Sequence, residues 1–199
     1  PYCEQAVTLF GGEGGLGYTL RSWSRYDDVL RVAESVLEVV IKQQDPALIG
    51  TCALRLVAPT YVKRKMLDEA ERWVGLAIEQ NATLHNRWLE GAIENARAFL
   101  YRSQGYLRAA EQAYQKALKI FLELESVSDV VTMYKALGDL TIRLATQDFE
   151  EAIDTSGTIQ VELAKAERYF DQAEAFLNQA RTDKQSHEIP LEHRDKRAI

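Results

Sequence analysis

Residues 98–110 read Ala98-Phe99-Leu100-Tyr101-Arg102-Ser103-Gln104-Gly105-Tyr106-Leu107-Arg108-Ala109-Ala110, and the pattern runs on through Tyr114 to Ala117-Leu118. Small residues stand at 98, 110 and 117, with large ones at 101, 107 and 114. Two antiparallel helices approach closely only where small side chains meet, and large neighbours then fill the flanking holes. The stretch therefore reads as a tight helical hairpin turning at Gly105. Moved back 40 residues, the pattern becomes Ala58, Tyr61, Leu67, Ala70, Val74 and Ala77-Ile78. A further 41 back it becomes Gly17, Leu20, Tyr26, Val29, Ala33 and Val36-Leu37. Moved forward 40 from Ala98 it reaches Gly138, within Tyr134-Lys135-Ala136-Leu137-Gly138. Small residues at 17, 58, 98 and 138 thus keep one period, the signature of a repeat architecture.

Leu16-Gly17 with Arg25-Tyr26-Asp27-Asp28-Val29-Leu30, and Gly105-Tyr106-Leu107-Arg108-Ala109-Ala110 with Tyr114 and Ala117-Leu118, resemble tetratricopeptide repeats. Tyr134, Leu137 and Gly138 match the first half of that motif, and Leu67-Asp68-Glu69-Ala70 the second. A period near 40 departs from the usual 34 and is similar to the longer repeats of bacterial regulators, signalling ATPases and kinesin light chains. The resemblance implies an all-α fold, a right-handed superhelical solenoid of antiparallel hairpins with about four repeats. Helices are expected at about 16–24, 27–43, 46–63, 67–80, 86–103, 106–123, 128–145 and 159–181. Residues 1–15 read as irregular, 16–181 as the repeat domain and 182–199 as a flexible tail. After Leu144, Asp154-Thr155-Ser156-Gly157 breaks the pattern before it resumes at Leu163, Ala166, Phe170, Ala173 and Leu177, so an insertion is expected at about 146–158.

Composition agrees with helices and narrows the function. Hydrophobic residues make up 46% of the 199 and charged residues 27%, ordinary for a folded chain. The net charge of −6 disfavours direct nucleic-acid binding, which needs cations to displace counterions. No apolar run spans a membrane or forms a signal peptide. Cys3 and Cys52 are isolated, so neither a disulfide framework nor a zinc site is suggested, and a cytoplasmic location is expected. The chain begins at Pro1, and the expectation is a segment of a longer regulatory protein.

Local motifs add no catalytic site and no cofactor. Val7 to Thr19 resembles a strand entering a phosphate-binding loop, but Tyr18 stands where the phosphate-reaching lysine is needed. Gly17 is better explained as the small residue of the first hairpin. His187 and His193 flank Glu188 and Glu192, at a spacing that shares no helical face, so no metal site is expected. Trp23, Trp73 and Trp88 read as packing residues, at least two of them between hairpins.

In a tetratricopeptide superhelix the first helix of each hairpin lines the concave groove. That resemblance points Tyr18, Arg21, Arg55, Val62, Asn95, Phe99, Arg102, Lys135 and Ile142 inwards. Arg21, Arg55, Arg102 and Lys135 would focus positive potential in an otherwise acidic chain. The expected partner is a peptide or protein carrying acidic or C-terminal carboxylate groups, with Phe99 as apolar anchor. The carboxylate-clamp pattern of chaperone-binding members is matched only by Asn95 and the basic residues. Three other readings stand beside the scaffold: a small-molecule sensor with a closed apolar pocket, a nucleotide enzyme using the Gly-rich segment, and self-association through an uncapped end.

Overall fold

The computed structural model describes residues 15–151 and 156–187. The described residues are helical throughout apart from short turns, in agreement with the expected all-α class. In chain order the helices are α1 (Leu16–Ser22), α2 (Tyr26–Gln43), α3 (Pro46–Cys52), a π-helical turn (Ala53–Val57), α4 (Ala58–Lys63), α5 (Leu67–Leu84), α6 (Arg87–Gln104), α7 (Leu107–Glu123), α8 (Val127–Glu151) and α9 (Ser156–His187). The segment α3–π–α4 is one continuous rod, so successive helices form four hairpins. Two compact units result, Pro1–Leu124 with three hairpins and Glu125–Ile199 with the fourth.

The repeat is written in the turns as clearly as in the side chains. Left-handed φ values occur at Ser24, Gln44, Lys65, His85, Gly105 and Glu125, spaced 20, 21, 20, 20 and 20 residues apart. Two turn chemistries alternate. Within a hairpin the chain reverses through a Schellman turn: the amides of Arg25, Met66 and Tyr106 donate to the carbonyls of Leu20, Tyr61 and Tyr101 at 2.8, 3.0 and 2.9 Å. No side chain caps the helix that follows. At the first two junctions between hairpins a side chain does the capping: Asp45 accepts from the Leu48 amide (3.1 Å) and Asn86 from the Leu89 amide (3.0 Å). At the third the Ser126 hydroxyl donates instead to the Asp129 carboxylate (2.7 Å). Of the six left-handed positions only 105 is a glycine, which alone carries no Cβ penalty there.

The small residues do what the pattern requires. Gly17, Ala58, Ala98 and Gly138 are all buried, as are Ala33, Ala70, Ala77, Ala110 and Ala117. In the first unit Val29, Leu30, Ala33 and Leu37 of α2 form a core with Cys52, Leu56 and Val57, and Tyr61 and Trp73 pack against its rim. In the third hairpin a Cβ at Gly91 would stand 2.9 Å from the Phe121 ring, so α6 and α7 touch nearly backbone to ring. Arg87 ties the far end of that hairpin, donating to Glu90 (2.7 Å) and Glu123 (2.6 Å). The hydrogen bond from Arg87 holds the Glu123 carboxyl below its ordinary range.

In the second unit α8 and α9 pack on each other through Gly138, where a Cβ would lie 2.6 Å from the Phe170 ring, and through Tyr134 and Tyr169, whose ring centroids are 6.4 Å apart. Ala166 and Ala173 are buried, whereas Leu163, expected in the core, is exposed. The helix boundaries also differ from expectation. α8 continues to Glu151 and α9 begins at Ser156 and runs to His187, so most of the expected 146–158 insertion, and residues 182–187 of the expected tail, are helical. Residues 152–155 and 188–199 lie outside the described residues, as do 1–14 with Cys3 and most of the Gly-rich stretch. Straight-chain residues such as Gln147, Glu150 and Glu151 favour extension of α8 as far as the polar break, whose Asp154 and Thr155 lie outside the described residues.

Two substitutions measure these constraints. Gly138→Val should lower unfolding free energy by about 2 kcal/mol, because the Phe170 ring has to move, and urea denaturation reads it directly. Lys65→Gly should instead raise stability by about 0.5–1 kcal/mol by removing the Cβ penalty at a left-handed turn. A loss of stability in the second variant would show that the Lys65 side chain contributes more than its backbone costs.

Candidate functional site

Helix α6 presents one face that organises the groove residues. Trp88, Asn95, Phe99 and Arg102 are spaced by seven, four and three residues, so they share one side of the helix. Trp88 and Phe99 are three turns apart, about 16 Å along the axis. Each ring carries cations. The Arg55 guanidinium lies 4.8 Å from the Trp88 ring centre, reaching over from the π turn. On Phe99, the Arg102 guanidinium lies at 5.0 Å and the Lys63 ammonium at 5.9 Å. Asn95 sits half-buried between the two stacks. An aromatic face attracts a cation by about 0.5–1 kcal/mol at a part-exposed site, enough to orient these long side chains without neutralising them.

The acid nearest this face in sequence is engaged elsewhere: Glu94 accepts from Arg97 on the same helix (3.0 Å). The stripe therefore gathers three cations and two aromatic rings within a chain of net charge −6. A guanidinium carries its N–H donors in one plane, a fork whose chemistry suits a carboxylate.

Four of the expected groove residues, Arg55, Asn95, Phe99 and Arg102, come together on the α3–α4 rod and α6. Tyr18 and Arg21 stand on α1 and take no part in these stacks. Tyr18 is exposed, but one Arg21 guanidinium nitrogen is buried with no hydrogen-bond partner among the described residues. Burial holds the Arg21 pKa below its ordinary value. Arg21 is thus partly withdrawn from solvent, not the open groove cation the pattern suggested. Val62 is a clear correction: only 3% exposed, it is a core residue of α4, which packs against both α5 and α6. Lys135 and Ile142 are exposed on α8, in the second unit.

The sequence reading missed Trp88 and Lys63. Trp88 is one of three tryptophans that read as packing residues, yet its place seven residues before Asn95 and eleven before Phe99 marks it as a member of the same face. Lys63 carried no such signal, because its role depends on how α4 lies against α6. Trp73 does pack on the core rim, whereas Trp23 is 67% exposed and packs little.

Among the described residues nothing around Cys52 suits a nucleophile. Its thiol is buried, and burial pushes it up to about 12. Among the described residues no cluster of three potential metal ligands occurs, and no helix is long and apolar enough to cross a membrane.

No family model matches the chain, and no curated protein matches it. Among solved structures the chain is similar to BtubC (BKLC) from P. vanneervenii, with a TM-score of 0.52 and 19% identity over 92% of this chain and 84% of that one. At this identity the likeness shows the fold alone, an all-α helical architecture.

The buried thiol gives a direct test. In a Cys3→Ser background, Cys52 should stay unreactive towards a disulfide reagent at pH 8 until denaturant is added. The protonated thiol is the form the fold favours. The associated stability is complete below the ordinary pKa of 9 and is lost as pH rises towards about 12. Rapid native-state labelling would show that the α3 region opens locally.

Proposed function

We propose that this chain is a protein-binding scaffold of the tetratricopeptide type, a module of a cytoplasmic regulatory protein, which takes an acidic peptide or protein segment along the α6 face. The observation behind this reading is the assembly of Arg55, Lys63 and Arg102 on Trp88 and Phe99, from two neighbouring helical rods. A ligand carboxylate gains charge-assisted hydrogen bonds from the guanidinium edges, while apolar ligand groups cover the part-exposed rings. The aromatic bases lower the entropic cost of binding by limiting where the cations can swing. Catalysis is no part of this reading, and it involves no cofactor, nucleic acid or membrane.

A second reading, a small-molecule-sensing repeat domain, has its own observation. Tyr61, Glu69, Arg72, Trp73 and Leu76 line an open cleft of about 410 Å³ between α4 and α5, within the size range of ligand sites. Its openness favours the scaffold.

The test uses a fluorescein-labelled poly-glutamate peptide at low salt, titrated with wild type and with Arg55→Glu/Lys63→Glu/Arg102→Glu. Wild type should bind in a salt-sensitive way, and the triple variant should bind at least about a hundredfold more weakly while keeping its helical circular dichroism. Equal binding by both forms would remove the α6 face from consideration. Saturable thermal stabilisation by a small acidic or aromatic compound, unaffected by the triple substitution, would favour the cleft instead.

A further inference from the structure

The cleft between α4 and α5 carries a charge pattern that the rest of the first unit does not repeat. Glu69, Arg72, Trp73 and Leu76 are spaced by three, one and three residues, so they form one stripe on α5. Tyr61 completes the wall from α4, and the cleft measures about 410 Å³. Tyr61 and Trp73 pack against the core that α2 shares with the rod and stay half-buried, so the aromatic wall is held from behind.

Glu69 is half-buried in this wall and Arg72 is exposed along it. At both other places in the described part of the first unit where an arginine follows an acid by three residues, the two close on each other. Asp28 meets Arg31 at 3.6 Å, and Glu94 meets Arg97 at 3.0 Å. Glu69 and Arg72 share that spacing and do not pair. Among the described residues neither makes an ion pair or a side-chain hydrogen bond with any group. A part-buried carboxylate without a donor is costly, and an unpaired guanidinium leaves its whole fork of donors unused. The cleft thus holds an acceptor and a donor fork about one helical turn apart, beside two rings.

The ligand chemistry follows from that combination. A plain anion suits Arg72 but is repelled by Glu69, and a plain cation has the opposite difficulty. A molecule with both an ammonium and a carboxylate satisfies both, while an apolar body covers the Tyr61 and Trp73 rings. A mainly apolar cleft with a few placed polar groups is the usual form of a small-ligand site. We propose that the α4–α5 cleft binds a free α-amino acid with an aromatic or large apolar side chain. Its ammonium lies on Glu69, its carboxylate on Arg72 and its side chain against Tyr61 and Trp73. This inference names the ligand of the small-molecule reading and rests on it, and it draws nothing from the α6 face.

The experiment is isothermal titration calorimetry of the 199-residue chain with L-phenylalanine and three relatives. Phenethylamine lacks the carboxylate, 3-phenylpropionate lacks the ammonium, and N-acetyl-L-phenylalanine amide lacks both charges. L-phenylalanine should saturate one site, and each relative should bind at least about tenfold more weakly, because each loses a charge-assisted hydrogen bond. Glu69→Gln should reduce L-phenylalanine to the level of 3-phenylpropionate, and Arg72→Gln to that of phenethylamine. Both variants should melt within about 2 °C of wild type, since neither side chain has a described partner to lose. Phenethylamine or 3-phenylpropionate binding as tightly as L-phenylalanine would leave the cleft a small-molecule site but overturn the amino-acid assignment. Equal binding of the blocked amide would show that a chain segment, not a free amino acid, enters, and would overturn it too. Full binding by both variants would put the site elsewhere. If none of the four compounds binds below about 10 mM, the small-molecule reading and this inference fall together.

Discussion

The closeness of neighbouring helices at alanine and glycine is the constraint on which the rest of this chain depends. At Ala58, Ala70, Ala77, Ala98, Ala110 and Ala117 the side chain is buried to within a few per cent, so adjacent rods are separated by little more than their own backbones. Dispersion forces between close-packed surfaces are individually weak and fall steeply with separation, so each such contact holds only if its partner is held too. Gly50 against Leu89, Gly91 against Phe121 and Gly138 against Phe170 are the tightest examples among the described residues, where even a methyl group would need the facing side chain to yield. The large residues, Tyr114 and Phe121 among them, then fill the space that close approach leaves at the flanks.

Regular spacing follows from that contact, and the functional face follows from regular spacing. Once α4 lies against α6 at the distance fixed by small residues, Lys63 on one and Phe99 on the other are within reach. The same approach places the π turn opposite the start of α6, so Arg55 finds Trp88. Arg55 and Lys63 each reach from one rod to a ring on the next, their aliphatic stems lying along the edge that the core leaves over.

Much of this was legible in the sequence because the information is periodic and local. The small residues at 17, 58, 98 and 138 gave the hairpins, and Asp45 followed by Pro46 gave a helix start that the structure places at the same residue. Arg55, Asn95, Phe99 and Arg102 were readable by register. Lys63, Trp88 and the burial of Val62 were not, since each depends on the distance between helices rather than position along one. Arg21 shows the same limit, because its burial is set by what lies around α1. The step of 41 among steps of 40 was visible in the sequence, but its meaning needed the backbone: a loop extension, a bulge and a longer helix all have the same length.

The turns carry a kinetic consequence. Successive helices in the first unit are joined by only two or three residues, and their contacts connect neighbouring elements in the chain. Chain closure over such short distances costs little entropy, so hairpins of this kind form on the microsecond-to-millisecond scale of low-contact-order proteins. The rod containing the π turn is the exception within its unit. It is enclosed by α2, α5 and α6 together, and its buried run gains its full contacts only after both flanking hairpins have formed. The apolar run of that rod is therefore covered only once α6 is in place, and a nascent chain leaving the ribosome would expose it until α6 has been made.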